Sequence, residues 1–324
     1  MKKRILVSRA VFPEVIERLA GHFEVDHNQA DVILGVAGLK ARLADKTGAL
    51  TAATDPVTAE VIATAPELAA VCNFAVGYNN IDLAACSQAG VMATNTPGVL
   101  DDTTADLAWA LLMASARRLP AAERWLRDGK WKGWEFVQWL GSDVHRATLG
   151  ILGMGRIGQA VARRALGFEM KVIYHNRSRL PADDEAACRA RFVDKPTLLC
   201  EADFLVLLLP YSAATHHTIG VAELALMKPT AHLINVARGG IVDDEALIAA
   251  LRQRRLSGAG LDVFEGEPKF NPGFLELDNV ALTPHIGSSS RATRMAMAMR
   301  AADNLIAALS GQRPPDLLNP EVLR

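Results

Sequence analysis

Only four cysteines occur in this chain, at positions 72, 86, 188 and 200, and no two stand at CxxC spacing. That leaves no disulfide framework or paired-thiol motif to read, and it suits a reduced, cytoplasmic protein. A basic surplus is missing too, because 35 Lys and Arg face 36 Asp and Glu. With no excess cation to neutralise phosphates, a nucleic-acid partner is not expected. No apolar run approaches the roughly 20 residues needed to span a bilayer. The opening MKKRILVSRAVF begins like an export signal, but Arg9 cuts its apolar run short. Neither a membrane partner nor export is therefore expected. One further absence is local. The segment ILGMGRIGQAVARRALGFEMKVIYHNRSR, residues 151–179, has the pattern of a dinucleotide-binding crossover, yet no acidic residue follows KVIYH.

What is present suits a globular protein. The 324 residues, 50% of them hydrophobic, suffice for two medium domains with their own cores. In the first third the segments RILVS, DVILGV, GALTAA, LAAVCNFAV and GVMATN read as strands, with helices over 13–21 and 58–65. Strand-helix alternation implies a parallel sheet with helices on both faces. TNTPG, ending at Gly98, is a turn and a candidate domain joint. A long helix is predicted next, with N-cap candidates from Asp101 to Thr104 and a stop at Pro120. A connection follows that holds four of the five tryptophans. Strands then resume as TLGILG, KVIYH, DFLVLLLP, HLINVA, AGLDVF and NVALTP, near-continuously apolar like strands buried on both faces. The last helix carries a Met/Ala/Leu stripe that reads as core or interface packing.

Gly153, Gly155 and Gly158 form a GxGxxG loop in full context, directly after the strand TLGIL and opening the helix RIGQAVARRAL. Such glycines permit a tight turn, close approach of a pyrophosphate and tight helix-strand packing. Because this nucleotide fold begins mid-chain, it reads as an insertion. The domains expected are 1–98 with 288–324, binding substrate, and 99–287, binding the dinucleotide.

Ligands of open parallel sheets sit beyond the C-terminal strand ends. Arg238 follows HLINVA, Glu267 follows AGLDVF, and His285 follows NVALTP. A guanidinium can hold a carboxylate and polarise a carbonyl. An imidazole can protonate a developing alkoxide, and a carboxylate can orient that imidazole and favour its charged form. The three together suit hydride transfer to a keto acid. Each has a plainer alternative: Arg238 paired with Asp262, Glu267 solvated, His285 packed in a loop.

At these residues the chain resembles the D-isomer-specific 2-hydroxyacid dehydrogenases. The likeness rests on NFAVGYNNID, the GxGxxG loop, NVARGGIVDDEAL, GLDVFEGEP and NVALTPHIGSSS, and it covers nearly the whole chain. It is nearest to glyoxylate/hydroxypyruvate reductases and the related 2-ketogluconate reductases. The resemblance implies two Rossmann-like or flavodoxin-like, doubly wound α/β domains, a cleft between them, and a homodimer built mainly through the nucleotide domain. It makes Arg238 the substrate clamp, His285 the acid/base and Glu267 its partner. Val76 and Gly77 would help hold the substrate carboxylate. Thr104, Pro210, Val236, Ala237, Asp262 and Gly287 would line the cofactor site, beside Gly153, Gly155, Arg156, Ile157 and Gly158. Asn79 and Glu169 depart from the family pattern at turn positions.

The missing acid bears on the cofactor. His175 stands where a carboxylate would bind the adenosine ribose and repel a 2′-phosphate. Asn176, Arg177 and Ser178 supply donors instead, with Arg179 close enough to assist, so NADPH is expected over NADH. The resemblance also implies that a Trp from the partner subunit reaches the active-site mouth. Trp139 is the best match, with plain interface packing as the alternative. Reduction of 2-ketogluconate and catalytically weak nucleotide sensing are the rival functions. His22, His27, His145 and His232 show no metal-like spacing, and His216 and His217 read as surface or helix-start residues.

Overall fold

Short, near-continuously apolar strands alternate with helices that bury one or more faces, and this sorts the chain into layers. The structure, a computed structural model, describes residues 2–323. It divides into two units, Met1–Leu100 with Ser289–Arg324, and Asp101–Ser288.

The first unit has five parallel strands, β1 (Arg4–Val7), β2 (Glu24–His27), β3 (Gly48–Thr51), β4 (Ala70–Asn73) and β5 (Met92–Thr94), in the order β2-β1-β3-β4-β5. Alternation divides their side chains between two cores. Ile5, Val7, Leu50 and Cys72 face a cluster completed by Ala298, Ala301, Ala302 and Leu305 of the helix Arg291–Leu309. Leu6, Ala49 and Val71 face the other cluster, with Leu39, Leu43 and Val61. The apolar stripe of the last helix is thus core.

The second unit has seven parallel strands: β6 (Thr148–Leu152), β7 (Lys171–His175), β8 (Ala190–Phe192), β9 (Phe204–Leu207), β10 (His232–Asn235), β11 (Gly258–Leu261) and β12 (Val280–Leu282). Their order is β12-β11-β10-β9-β6-β7-β8. The chain winds one way from β6 to β8 and the other way from β9 to β12. The switch point at β6 and β9 is where such sheets open a ligand crevice. Here too the strands are buried on both faces, Leu149 and Ile151 toward one cluster, Leu205 and Leu207 toward the other.

Three expectations are corrected. DVILGV is not a strand: Val32 and Ile33 are exposed and a helix starts at Gly35. Asn28 donates to the Ser8 and Val32 carbonyls, and Arg9 pairs with Asp31, so this stretch is tied into a loop. The edge strand is the polar EVDH of β2 instead. Next, the long helix is Asp101–Ala116, which places Asp101 to Thr104 within its first turn and not at the cap. Finally, Pro120 does not stop it. Arg118, in left-handed conformation, separates it from a second helix, Leu119–Arg127, and Pro120 sits in the first turn of that helix. Proline costs nothing there, because first-turn N–H groups have no helical acceptor. The short strand β8 carried too few residues to show a period. Among the described residues no helix is long and apolar enough to cross a membrane.

Candidate active site

The strand TLGIL ends in a turn only glycine allows. Gly153 adopts φ +104, and a Cβ there would lie 2.8 Å from the Leu208 carbonyl carbon. A Cβ on Gly158 would meet the Gly153 carbonyl oxygen at 2.6 Å, so the helix Arg156–Ala165 starts hard against the turn. At Gly155 the place a Cβ would take has nothing within 4 Å, and no side chain caps the helix. An open face over an uncapped helix N-terminus, flanked by Arg156 and Ile157, fits a bound pyrophosphate. Asn176 completes the cradle. Its Oδ1 accepts from the Met154 N–H at 2.6 Å and locks the turn to the end of β7.

That strand end is otherwise committed in part. The His175 Nδ1 lies 2.8 Å from the Val193 carbonyl. Arg179, expected to assist Arg177, is instead paired with Glu185 through two nitrogens, with Nη2 at 2.6 Å from Oε2. Glu185 also accepts from the Tyr174 hydroxyl, and these two bonds hold its carboxyl below the usual range. Arg177 and Ser178 are exposed, and Arg177 has no ion-pair partner among the described residues.

Beyond β10, Asn235 shapes the loop. It accepts from the Ala237 N–H and donates to the Arg238 carbonyl, beside buried Val236. Arg238 spends one nitrogen on the Ala237 carbonyl at 2.7 Å. Burial lowers its pKa, while the charge of Glu267 acts in the opposite direction. Beyond β11, Asp262 is a buried scaffold and does not pair with Arg238. It accepts from the Thr283 hydroxyl and from the N–H groups of Ile286 and Gly287 at 2.6, 2.7 and 2.8 Å. Burial pushes its carboxyl up, against those hydrogen bonds. Gly287 lies next to buried Thr104, whose methyl is 3.5 Å from the place a Cβ would take. Pro210, beyond β9, accepts from Thr215.

Asp262 thereby aims His285. The His285 N–H donates to the Asp262 carbonyl at 2.9 Å, and the residue takes a left-handed φ of 53°. Its Nδ1 meets Glu267 Oε1 at 2.7 Å. Nε2 is left without a partner among the described residues. Burial raises the Glu267 carboxyl, but the bond and charge of His285, the Phe264 N–H and Arg238 outweigh it, and the net shift is downward. One cation, one carboxylate and one imidazole therefore act on one another at neighbouring strand ends.

In the first unit, the loop after β4 is held by three asparagines. Asn95 donates to the Val76 carbonyl at 2.8 Å and Asn73 to the Gly77 carbonyl at 2.9 Å. Asn80 anchors the far end on Ala52 and Asp55. The Val76 and Gly77 N–H groups have no partner among the described residues. Trp139 packs within its own unit, edge-on to Trp125 at 5.7 Å and under the Arg118 guanidinium at 5.1 Å. The aromatics of this connection that are exposed are Trp131, Trp134 and Phe136. Asn73, Asn95 and Asn235 escaped the sequence reading, and Asn176, read there as a donor to the cofactor, is committed by its Oδ1 to the glycine turn. Each grips backbone distant in sequence or hidden in a turn, which leaves no spacing to find.

The chain is similar to known proteins along its whole length. Residues 109–287 match the family described as D-isomer specific 2-hydroxyacid dehydrogenase, NAD binding domain. A glyoxylate reductase of Thermococcus onnurineus is 46% identical over all of this chain and 98% of its own length. The structure of an NADPH-dependent glyoxylate/hydroxypyruvate reductase from Sinorhizobium meliloti, in complex with NADP and malonate, superposes with a TM-score of 0.87 at 34% identity. That match covers 100% of this chain and 99% of the other. A D-isomer specific 2-hydroxyacid dehydrogenase from Polaromonas gives 0.91 at 35% identity, covering 98% of this chain and 100% of the other.

Proposed function

Because the chain belongs to the D-isomer specific 2-hydroxyacid dehydrogenase family, we propose that it reduces glyoxylate and hydroxypyruvate, with NADPH preferred over NADH. It is an oxidoreductase with an NAD-type nucleotide domain acting on 2-keto acids. The finer reading rests above all on the 2.7 Å contact between His285 Nδ1 and Glu267.

The nicotinamide, when bound, supplies the hydride to C2 of the keto acid. The glycine loop with Arg156 and Ile157 holds the pyrophosphate, and Thr104, Pro210, Val236, Ala237, Asp262 and Gly287 line the cofactor. Arg238 has guanidinium donors left for the substrate carboxylate and carbonyl, which draws electron density from C2. Glu267 occupies His285 Nδ1 and stabilises the imidazolium, so that Nε2 carries a proton toward the carbonyl oxygen. A D-2-hydroxy acid results where the product is chiral. Val76 and Gly77 offer backbone N–H groups for a carboxylate.

The cofactor preference rests on the absence of any acid at His175 to Ser178 and on the exposed, unpaired Arg177. A second copy of the chain covers the projecting aromatic connection, giving a homodimer. Four unpaired cysteines accord with a cytoplasmic setting.

The test is a panel of 2-keto acids with NADPH and with NADH, followed spectrophotometrically. Highest kcat/KM with glyoxylate or hydroxypyruvate and NADPH is expected. A best rate on 2-ketogluconate would move the assignment to that substrate. Tight NADPH binding with no turnover on any acid would leave a sensor.

A further inference from the structure

Among the described residues, one grouping of metal-type side chains stands outside the residues given roles above. His216, His217 and Glu265 place their donor atoms within 4.8 Å of one another. The grouping is assembled by the loops after β9 and β11 and lies wholly within the second unit.

Its assembly is specific. Thr215 closes the first loop by donating to the Pro210 carbonyl and accepting from the Ser212 N–H. His217 then turns left-handed at φ 48, with its N–H donating to the Gly240 carbonyl at 2.8 Å. This carries its ring to Glu265, where Nε2 and Oε2 are 3.1 Å apart. The His216 ring stacks on His217 with centroids 3.8 Å apart, and its Nδ1 lies 3.3 Å from the Tyr211 hydroxyl. Glu265 is fixed from behind, since its N–H donates to Asp244 at 3.0 Å. Position 240 must be small: a Cβ there would come within 2.9 Å of the Tyr211 ring and 3.4 Å of His216 Nδ1.

We propose that His216, His217 and Glu265 bind a divalent transition ion of the zinc type. The donor set decides the class. Calcium and magnesium take oxygen ligands, whereas two imidazoles and one carboxylate suit zinc, with a fourth position left to water. Bonds of about 2.0–2.1 Å in a tetrahedron set ligand atoms about 3.3 Å apart. His217 and Glu265 already stand near that spacing. Rotation of the exposed His216 ring, away from its stack on His217 and its contact with Tyr211, brings in its donor atom. The ion ties the loop that carries Pro210 to the loop that carries Glu267, so its binding braces two segments of the same strand-end face.

Chelator-stripped protein is titrated with cobalt(II), read by its visible absorption, and cobalt is then displaced with zinc(II). One saturable cobalt per chain, displaced by one zinc, is expected. His216→Ala, His217→Asn and Glu265→Gln should each weaken zinc binding about tenfold or more. Asparagine is chosen at 217 because it tolerates a positive φ. Zinc should also raise the Tm of the unmutated protein and leave that of His217→Asn unmoved. Should His217→Asn misfold by circular dichroism, the other two variants carry the test. The proposal is overturned if no saturable site exists, or if folded variants bind zinc as the unmutated protein does.

Discussion

Arg238 spends one nitrogen on its own loop, and in the proposed reading the rest of its planar fork holds the substrate. Lysine is a point donor and cannot reproduce a two-bond clamp. Arg238→Lys should therefore lower kcat/KM by roughly tenfold to a hundredfold, the worth of one charge-assisted contact at about 1.5–3 kcal/mol. NADPH affinity by fluorescence titration should stay within about twofold of the unmutated value, since the loss falls on substrate. Unaltered kcat/KM would remove Arg238 from the substrate site. For His285→Ala, a loss of about 10²–10⁴ in kcat is expected, the usual contribution of general acid catalysis. Glu267 gives a sharper test. Its carboxyl is held below the ordinary range, so it stays ionised and favours the imidazolium. Glu267→Gln removes the negative charge that faces the imidazole. The limb along which reduction falls with rising pH should move downward. A pH-rate profile identical to the unmutated one would dissolve the pair.

At the scale of elements, the end of β7 divides its labour. Asn176 serves the glycine turn, His175 is tied to Val193, and Arg179 belongs to Glu185. Only Arg177 and Ser178 remain exposed for a ligand. The proposed preference for NADPH thus narrows to Arg177 as its cationic determinant. Arg177→Ala should cut kcat/KM with NADPH by roughly tenfold or more, as for other charge-assisted contacts, and leave the value with NADH unchanged. Equal losses with both cofactors would assign Arg177 to general folding or phosphate attraction. The late strand ends show the same economy. A single carboxylate, Asp262, organises β12's exit through three hydrogen bonds and so fixes where His285 points.

For the whole molecule, two properties are open to measurement. Leu126, Trp131, Trp134, Phe136, Val137 and Leu140 are all exposed within one stretch of the chain. Apolar clusters of this kind are typical of association surfaces. Sedimentation velocity should show a dimer, and Trp134→Asp with Phe136→Asp should shift it to monomer. A monomeric unmutated protein would refute the dimer. The second property is acid stability. His232 is buried at the start of β10, with Ser115 at 2.8 Å on one ring nitrogen and Ser142 at 3.0 Å on the other. Burial lowers its pKa from 6.5 to about 4. The unfolded chain therefore binds the proton more readily, and stability drops as pH falls through that window. Between pH 7 and pH 5 the loss should reach about 2 kcal/mol from this residue. In urea unfolding, His232→Gln should flatten that dependence. An equal slope in both proteins would place the acid sensitivity elsewhere.

The sequence by itself determined the parallel α/β architecture, because buried strands and amphipathic helices must show their periods locally. It also determined the glycine loop and the positions of Arg238, Glu267 and His285, since strand ends and turn residues are chain-local signals. Only the tertiary structure decided how those residues meet. The contact of His285 with Glu267 spans 18 positions, and that of Asn176 with the Met154 N–H spans 22. The sequence reading left Arg179 free, while the fold pairs it with Glu185, which also takes the Tyr174 hydroxyl. It made DVILGV a strand, but Asn28 and Arg9 hold that stretch in a loop while the polar β2 takes the sheet edge. The reason is common to all of these. Hydrophobic periodicity is written along the chain, whereas a hydrogen bond or ion pair depends on what the folded backbone brings within about 3 Å.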